Sequence, residues 1–192
     1  MPKPVCWIDE IDYPHANSKL RAIYDQVLSP GGQLDNLYRG FSLSPQTILP
    51  ADNLYKAVLH DSDNVLAKSF AELIGTYVAI LSGCDYAKAH HGQNFVALSE
   101  KPEDARRILN TLGSGSTEDC GTSKEIKVLE YVRKLCLQPA AIEQSDVEVL
   151  QADGWSDTEI SEIVQVVAMF SYYVRVINGV GIQLGDEKLG LY

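Results

Sequence analysis

Apolar residues recur at helical intervals along nearly the whole chain, and no stretch alternates in the way a half-buried strand would. The first fifteen residues are the exception. Prolines at 2, 4 and 14 and the lack of a helical period predict an extended arm over residues 1–15. From Ala16 on, Leu20, Ile23, Tyr24, Val27 and Leu28 share one helical face, and Pro30-Gly31-Gly32 ends the run. A short apolar segment spans Leu34 to Phe41. Ser44-Pro45 then reads as an N-cap with proline in the first turn, and Pro50 is expected to kink or restart that helix before Leu54, Val58 and Leu59.

Between Leu66 and Ser82, one stripe carries Leu66, Phe70, Leu73, Tyr77, Ile80 and Leu81. Beside it runs Glu72, Gly75, Thr76, Ala79, Ser82 and Gly83. After Glu72 these residues are small, so another helix can approach closely there. Gly83 ends this helix and a second starts near Cys84, continuing to about Leu98. Pro102 to Leu112 is a short helix, and Gly113 to Gly121 (GSGSTEDCG) is the one linker-like stretch. Thr122 with Glu125 and Ser156 with Glu159 have capping-box spacing, each opening a later helix. The last helix carries Ile160, Ile163, Val164, Val167, Phe170, Val174 and Ile177 on one face, with Gly179 and Gly181 as stops. β-branched runs such as Ile163 to Val167 lie within helical periods, so the expectation is an all-α protein. It should have two helical lobes, about 16–112 and 122–192. Ala79–Gly92 and Ala168–Gly181 align without gaps, a slight hint of duplication.

Composition narrows the function. A net charge of −10 in 192 residues argues against nucleic acid, whose phosphates need a basic face, and against an anionic membrane surface. MPKPVCWIDEIDYPH lacks a basic stretch followed by an apolar run, and nowhere are about 18 consecutive residues apolar. Cys6, Cys84, Cys120 and Cys136 include no C-x-x-C pair. The expectation is free thiols in a reducing compartment, the cytoplasm.

The candidate chemistry lies in GCDYAKAHHG, residues 83–92. Cys84 stands at a helix start, where unpaired N–H groups and the macrodipole favour a thiolate and make it the most reactive of the four thiols. Cys84, Ala87 and His91 are spaced i, i+3 and i+7 on one face, so the imidazole can exchange a proton with the thiol. His90 points about 100° away and suits packing or hydrogen bonding. Glu72, twelve positions before Cys84, is a carboxylate at a close helix contact, a setting that suits a base. Each residue also has a plainer reading: a buried cysteine, structural histidines, an exposed glutamate. A metal site of Glu72, Cys84, His90 and His91 is disfavoured, because adjacent histidines diverge and the Cys-to-His spacing fits no usual zinc pattern.

E-x11-C-x-Y-x-x-x-x-H, with its double histidine and following glycine, resembles the AhpD-like branch of the carboxymuconolactone decarboxylase family. It is most similar to the peroxidase-related proteins with a C-x-Y-C-x-x-H-H segment. LDNLYRGFSLSPQTILPADNLYKAVL resembles that family's opening helices, and DGWSDTEISEIVQVVAMFSYYVRVINGVG its closing helix. The resemblance implies an AhpD-like helical fold assembled as a homo-trimer or homo-hexamer. It implies hydroperoxide reduction by a cysteine pair, with electrons from a partner protein thiol and no cofactor or metal. Glu72 and His91 become the proton relay and Cys84 the first cysteine; Tyr86 takes a position held in some members by histidine. The second cysteine would fall at position 87, where this chain has Ala87, so a C-x-x-C disulfide cannot form. That departure leaves three readings: a Cys→Ala change made at the site, a one-cysteine cycle resolved by an external thiol, or different work. The last covers a decarboxylase-like lyase on a small carboxylated metabolite and a catalytically silent ligand-binding member.

Overall fold

A computed structural model describes residues 4–29 and 31–191; Pro2 and Pro30, used above to mark the arm and a helix stop, lie outside the described residues. Among the described residues there are nine α-helices, two short 3-10 turns and no strand. The chain is all-α, as its periodicity predicts.

Two compact units divide the chain. The first takes the residues up to Ala57 together with Arg175–Lys188. It contains α1 (Ser18–Tyr24), α2 (Asn36–Gly40) and most of α3 (Ile48–His60). Asn17 caps α1 by accepting from the Leu20 N–H at 2.9 Å. The extended arm is tied down: the Trp7 N–H donates to the Val180 carbonyl and the Gln183 N–H to that of Val5, each at 2.8 Å. Tyr24 is wholly buried beneath it and donates to the Ile11 carbonyl at 2.6 Å, and burial pushes its phenol up to about 12. Pro50 does not interrupt its helix. A 3-10 turn over Pro45–Thr47 leads into α3, and Pro50 falls in its first turn, where a missing N–H removes no intrahelical bond.

The second unit holds Val58–Val174 and the residues from Leu189 on. Its helices are α4 (Lys68–Leu81), α5 (Asp85–Leu98), α6 (Pro102–Gly113), α7 (Ser123–Leu137), α8 (Gln144–Ala152) and the greater part of α9 (Asp157–Val180). Every residue of α4 from Phe70 to Ala79 is buried, making α4 the central helix here. The start of α4 has no cap of its own. The turn just before it is held by Glu162 of α9, which accepts from the N–H groups of Val65 and Leu66 at 3.0 and 2.7 Å. The small-residue stripe does what its composition predicts: the Phe170 ring lies over Gly75, where a Cβ would come within 2.2 Å of it.

The division expected at Gly113–Gly121 is not where the compact units part, because α4 to α8 all fall in the second unit. That stretch is a packed loop. Cys120 is 1% exposed, and Arg107 of α6 donates to the Asp119 carbonyl at 3.2 Å. Both capping boxes form, at Thr122/Glu125 and Ser156/Glu159, and Glu143/Asp146 adds a third that opens α8. α9 passes through Gly179 and stops at Gly181, whose φ is +66°. It is the one described helix long and apolar enough to cross a membrane by length and composition. Ile160, Ile163, Val167 and Phe170 are buried, so its apolar stripe serves as core.

Candidate functional site

The α4–α5 junction is built by local backbone chemistry. Gly83 adopts φ +60°, its N–H donates to the Ile80 carbonyl at 3.1 Å, and the Cys84 N–H donates to Ala79 at 2.9 Å. This crossed pair is a Schellman ending, which needs a left-handed residue and so favours glycine. Cys84 closes α4 and is at the same time the N-cap of α5, with φ −99° and ψ 91°. The two helices are thus joined without a loop, and they pack along their lengths.

Burial opposes the thiolate at Cys84. Its side chain is 1% exposed, and burial pushes the thiol above its ordinary value. The N–H groups of Ala87 and Tyr86 favour the thiolate, as a helix start should, while the Asp85 carboxylate opposes it. The desolvation cost is the largest of these influences and wins. The expectation that Cys84 is the most reactive of the four thiols meets an opposing influence in this burial. Glu72 and His91 are not among the groups acting on this thiol.

Those two side chains meet each other. The His91 Nδ1 lies 2.7 Å from Glu72 Oε2, with Glu72 2% and His91 16% exposed at the side chain. Glu72 is therefore no surface carboxylate; the adjacent small residues let α5 come close enough to cover it. Asn94 completes the group by donating from Nδ2 to Glu72 Oε1 at 2.9 Å. Both carboxylate oxygens are thereby engaged. His91 and the Phe170 ring of α9 form an edge-to-face pair with centroids 4.5 Å apart, which restrains the imidazole plane.

Ala87 is 3% exposed and sits one helical turn before His91, so Ala87, His91 and Asn94 follow one another at i, i+4 and i+7 on α5. Tyr86 is buried and stacks on His90 with centroids 4.7 Å apart. His90 thus separates from His91 as helical geometry demands, and its Nδ1 accepts from the Gly190 N–H at 3.5 Å. Among the described residues, no three His, Cys, Asp or Glu side chains converge as a metal site requires. Sequence reasoning missed Asn94, although its spacing from His91 placed it on the same face. It also missed the contribution of Gly190 and Leu191, which lie about a hundred positions away and carry no local signal.

No protein-family model matches the chain, and no curated protein matches it in sequence. Solved structures do match. A peroxidase-related protein from Ralstonia eutropha JMP134, described as an alkylhydroperoxidase AhpD core, superposes with a TM-score of 0.82 at 18% identity, covering 96% of this chain and 94% of that one. The fold is AhpD-like. An uncharacterized peroxidase-related protein from Silicibacter sp. TM1040 gives a TM-score of 0.75 at 20% identity, covering 96% of this AhpD-like chain and 94% of the other. The debrominase Bmp8, in a cysteine-to-alanine variant complexed with 2,3,4-tribromopyrrole, gives 0.70 at 17% identity, with 97% and 94% covered. At these identities the likeness is one of fold.

Proposed function

We propose that this chain is an alkylhydroperoxidase-like thiol oxidoreductase whose two-cysteine cycle is interrupted at Ala87. The observation that carries the reading is the buried Glu72–His91 pair, one helical turn from position 87 on the helix that Cys84 caps. A carboxylate bonded to an imidazole Nδ1 holds the ring and leaves Nε2 to serve as the base. With a thiol at position 87, His91 takes its proton and the thiolate sulfur attacks the terminal peroxide oxygen. The O–O bond breaks, the alcohol leaves with the returned proton, and a sulfenic acid remains. The Cys84 thiol displaces water from that sulfenic acid to give the disulfide, which an external protein dithiol reduces. The substrate is a small hydroperoxide and the setting a reducing compartment such as the cytoplasm.

The test is Ala87→Cys. The variant is expected to gain a reducible bridge between Cys84 and the introduced thiol, since i and i+3 side chains at a helix start are near enough to link. It should also consume an organic hydroperoxide in the presence of a dithiol. Adding Glu72→Gln or His91→Ala should cut that turnover by roughly 10²–10⁴-fold, the usual size of a general-base contribution. 2,3,4-Tribromopyrrole is the second probe, prompted by the debrominase of the same fold: two thiols and one C–Br bond yield C–H, bromide, a proton and a disulfide. If Ala87→Cys forms no disulfide and turns over neither probe, the redox reading fails. Acid–base lyase chemistry at Glu72 and His91 then takes its place.

A further inference from the structure

The C-terminal segment reaches the site through two consecutive backbone donors. The Leu191 N–H donates to Asn94 Oδ1 at 2.6 Å and the Gly190 N–H to His90 Nδ1 at 3.5 Å. Gly190 has φ +76°, and a Cβ there would stand 2.6 Å from Asn94 Oδ1, so only glycine lets the segment lie this close. Asn94 is 1% exposed, so bulk solvent does not compete for its amide. An amide has an acceptor end and a donor end, and a backbone N–H at one end dictates which is which. With Oδ1 claimed by Leu191, the Nδ2 hydrogens face Glu72 Oε1, 2.9 Å away.

From this we infer that Asn94 is a positioning residue for the Glu72–His91 pair, itself oriented by the C-terminal segment. Oε1 accepts from Asn94, and with Oε2 accepting as well the proton in the 2.7 Å contact sits on His91 Nδ1. That selects the tautomer whose basic lone pair is on Nε2. The chain of bonds runs Leu191 N–H, Asn94 amide, Glu72 carboxylate, His91 ring, and each link is set by the one before. The role rests on the proposed use of His91 as the base, yet it has a consequence that needs no turnover.

The imidazole ¹⁵N shifts of His91 report its tautomer directly in the chain as it stands. We expect the Nδ1-protonated form to dominate at neutral pH. Asn94→Leu, which keeps the branching at Cγ and removes the amide, should turn that single form into a mixture. Leu191→Pro removes the donating N–H and leaves α5 untouched, and it should move the ring in the same direction. It also covers the case in which the buried substitution does not fold. In the Ala87→Cys protein, adding Asn94→Leu should lower turnover on the order of tenfold, the lower end of what a supporting partner of a working histidine carries. An unchanged His91 tautomer in the folded variants overturns the inference. If the tautomer responds while Ala87→Cys has no peroxide turnover, the redox reading falls and the positioning role of Asn94 stands.

Discussion

A sulfur at position 87 would lie one helical turn from His91, whereas Cys84 is buried at the N-cap with its thiol pushed up by desolvation. That contrast makes thiol labelling informative. Cys6, Cys84 and Cys120 are buried, and Cys136 alone of the four is partly exposed. Limiting alkylation at neutral pH should therefore modify Cys136 first, read by mass spectrometry of the peptides. Burial raises the Cys84 thiol, so its labelling should need a pH above the ordinary thiol range, where the anion finally forms. The stability sign is the same. A thiol whose folded value exceeds its unfolded value contributes stability that is whole below the unfolded value, and the contribution is lost as pH rises through the folded one. Rapid labelling of Cys84 ahead of Cys136 would show that the junction opens in solution and would restore the activated thiol expected from the helix start.

Among the elements, α4 carries the site because it accepts close neighbours along one stripe. Gly75 shows the cost of altering that stripe. In an exposed helix, Gly→Ala gains about 1 kcal/mol from backbone propensity. Here the new methyl would stand 2.2 Å from two atoms of the Phe170 ring, which is itself seated against His91. Overpacking of this kind costs about 1–3 kcal/mol, so the clash outweighs the propensity and Gly75→Ala should be destabilising. Thermal unfolding should show a midpoint lower by a few degrees, on the scale of roughly 2–4 °C per kcal/mol for a chain of this size. A raised midpoint would mean that α9 yields easily and that Phe170 does not hold the imidazole.

At the scale of the whole molecule, we expect a symmetric homo-trimer or homo-hexamer, which light scattering can decide. The resemblance to AhpD-like proteins prompts the expectation. A stable 21.2 kDa monomer at micromolar concentration would overturn it. The all-α class, nearly every helix from α3 on, the capping boxes at Thr122 and Ser156 and the glycine stop at Gly83 were legible in the chain alone. Each depends on contacts within a few residues, and local spacing encodes those directly. Candidate residues were legible for the same reason: Cys84, Ala87 and His91 lie on one short segment, and Glu72 on the helix before it. What only the folded structure decided involves partners distant along the chain. Desolvation pushes the Cys84 thiol up against the pull of its own helix start. Gly113–Gly121, flexible by composition, is packed through Cys120 and Arg107. Asn94 takes its orientation from Leu191, 97 positions later. Burial and hydrogen bonding across such separations depend on how helices pack, and the periodicity of a single helix does not specify that.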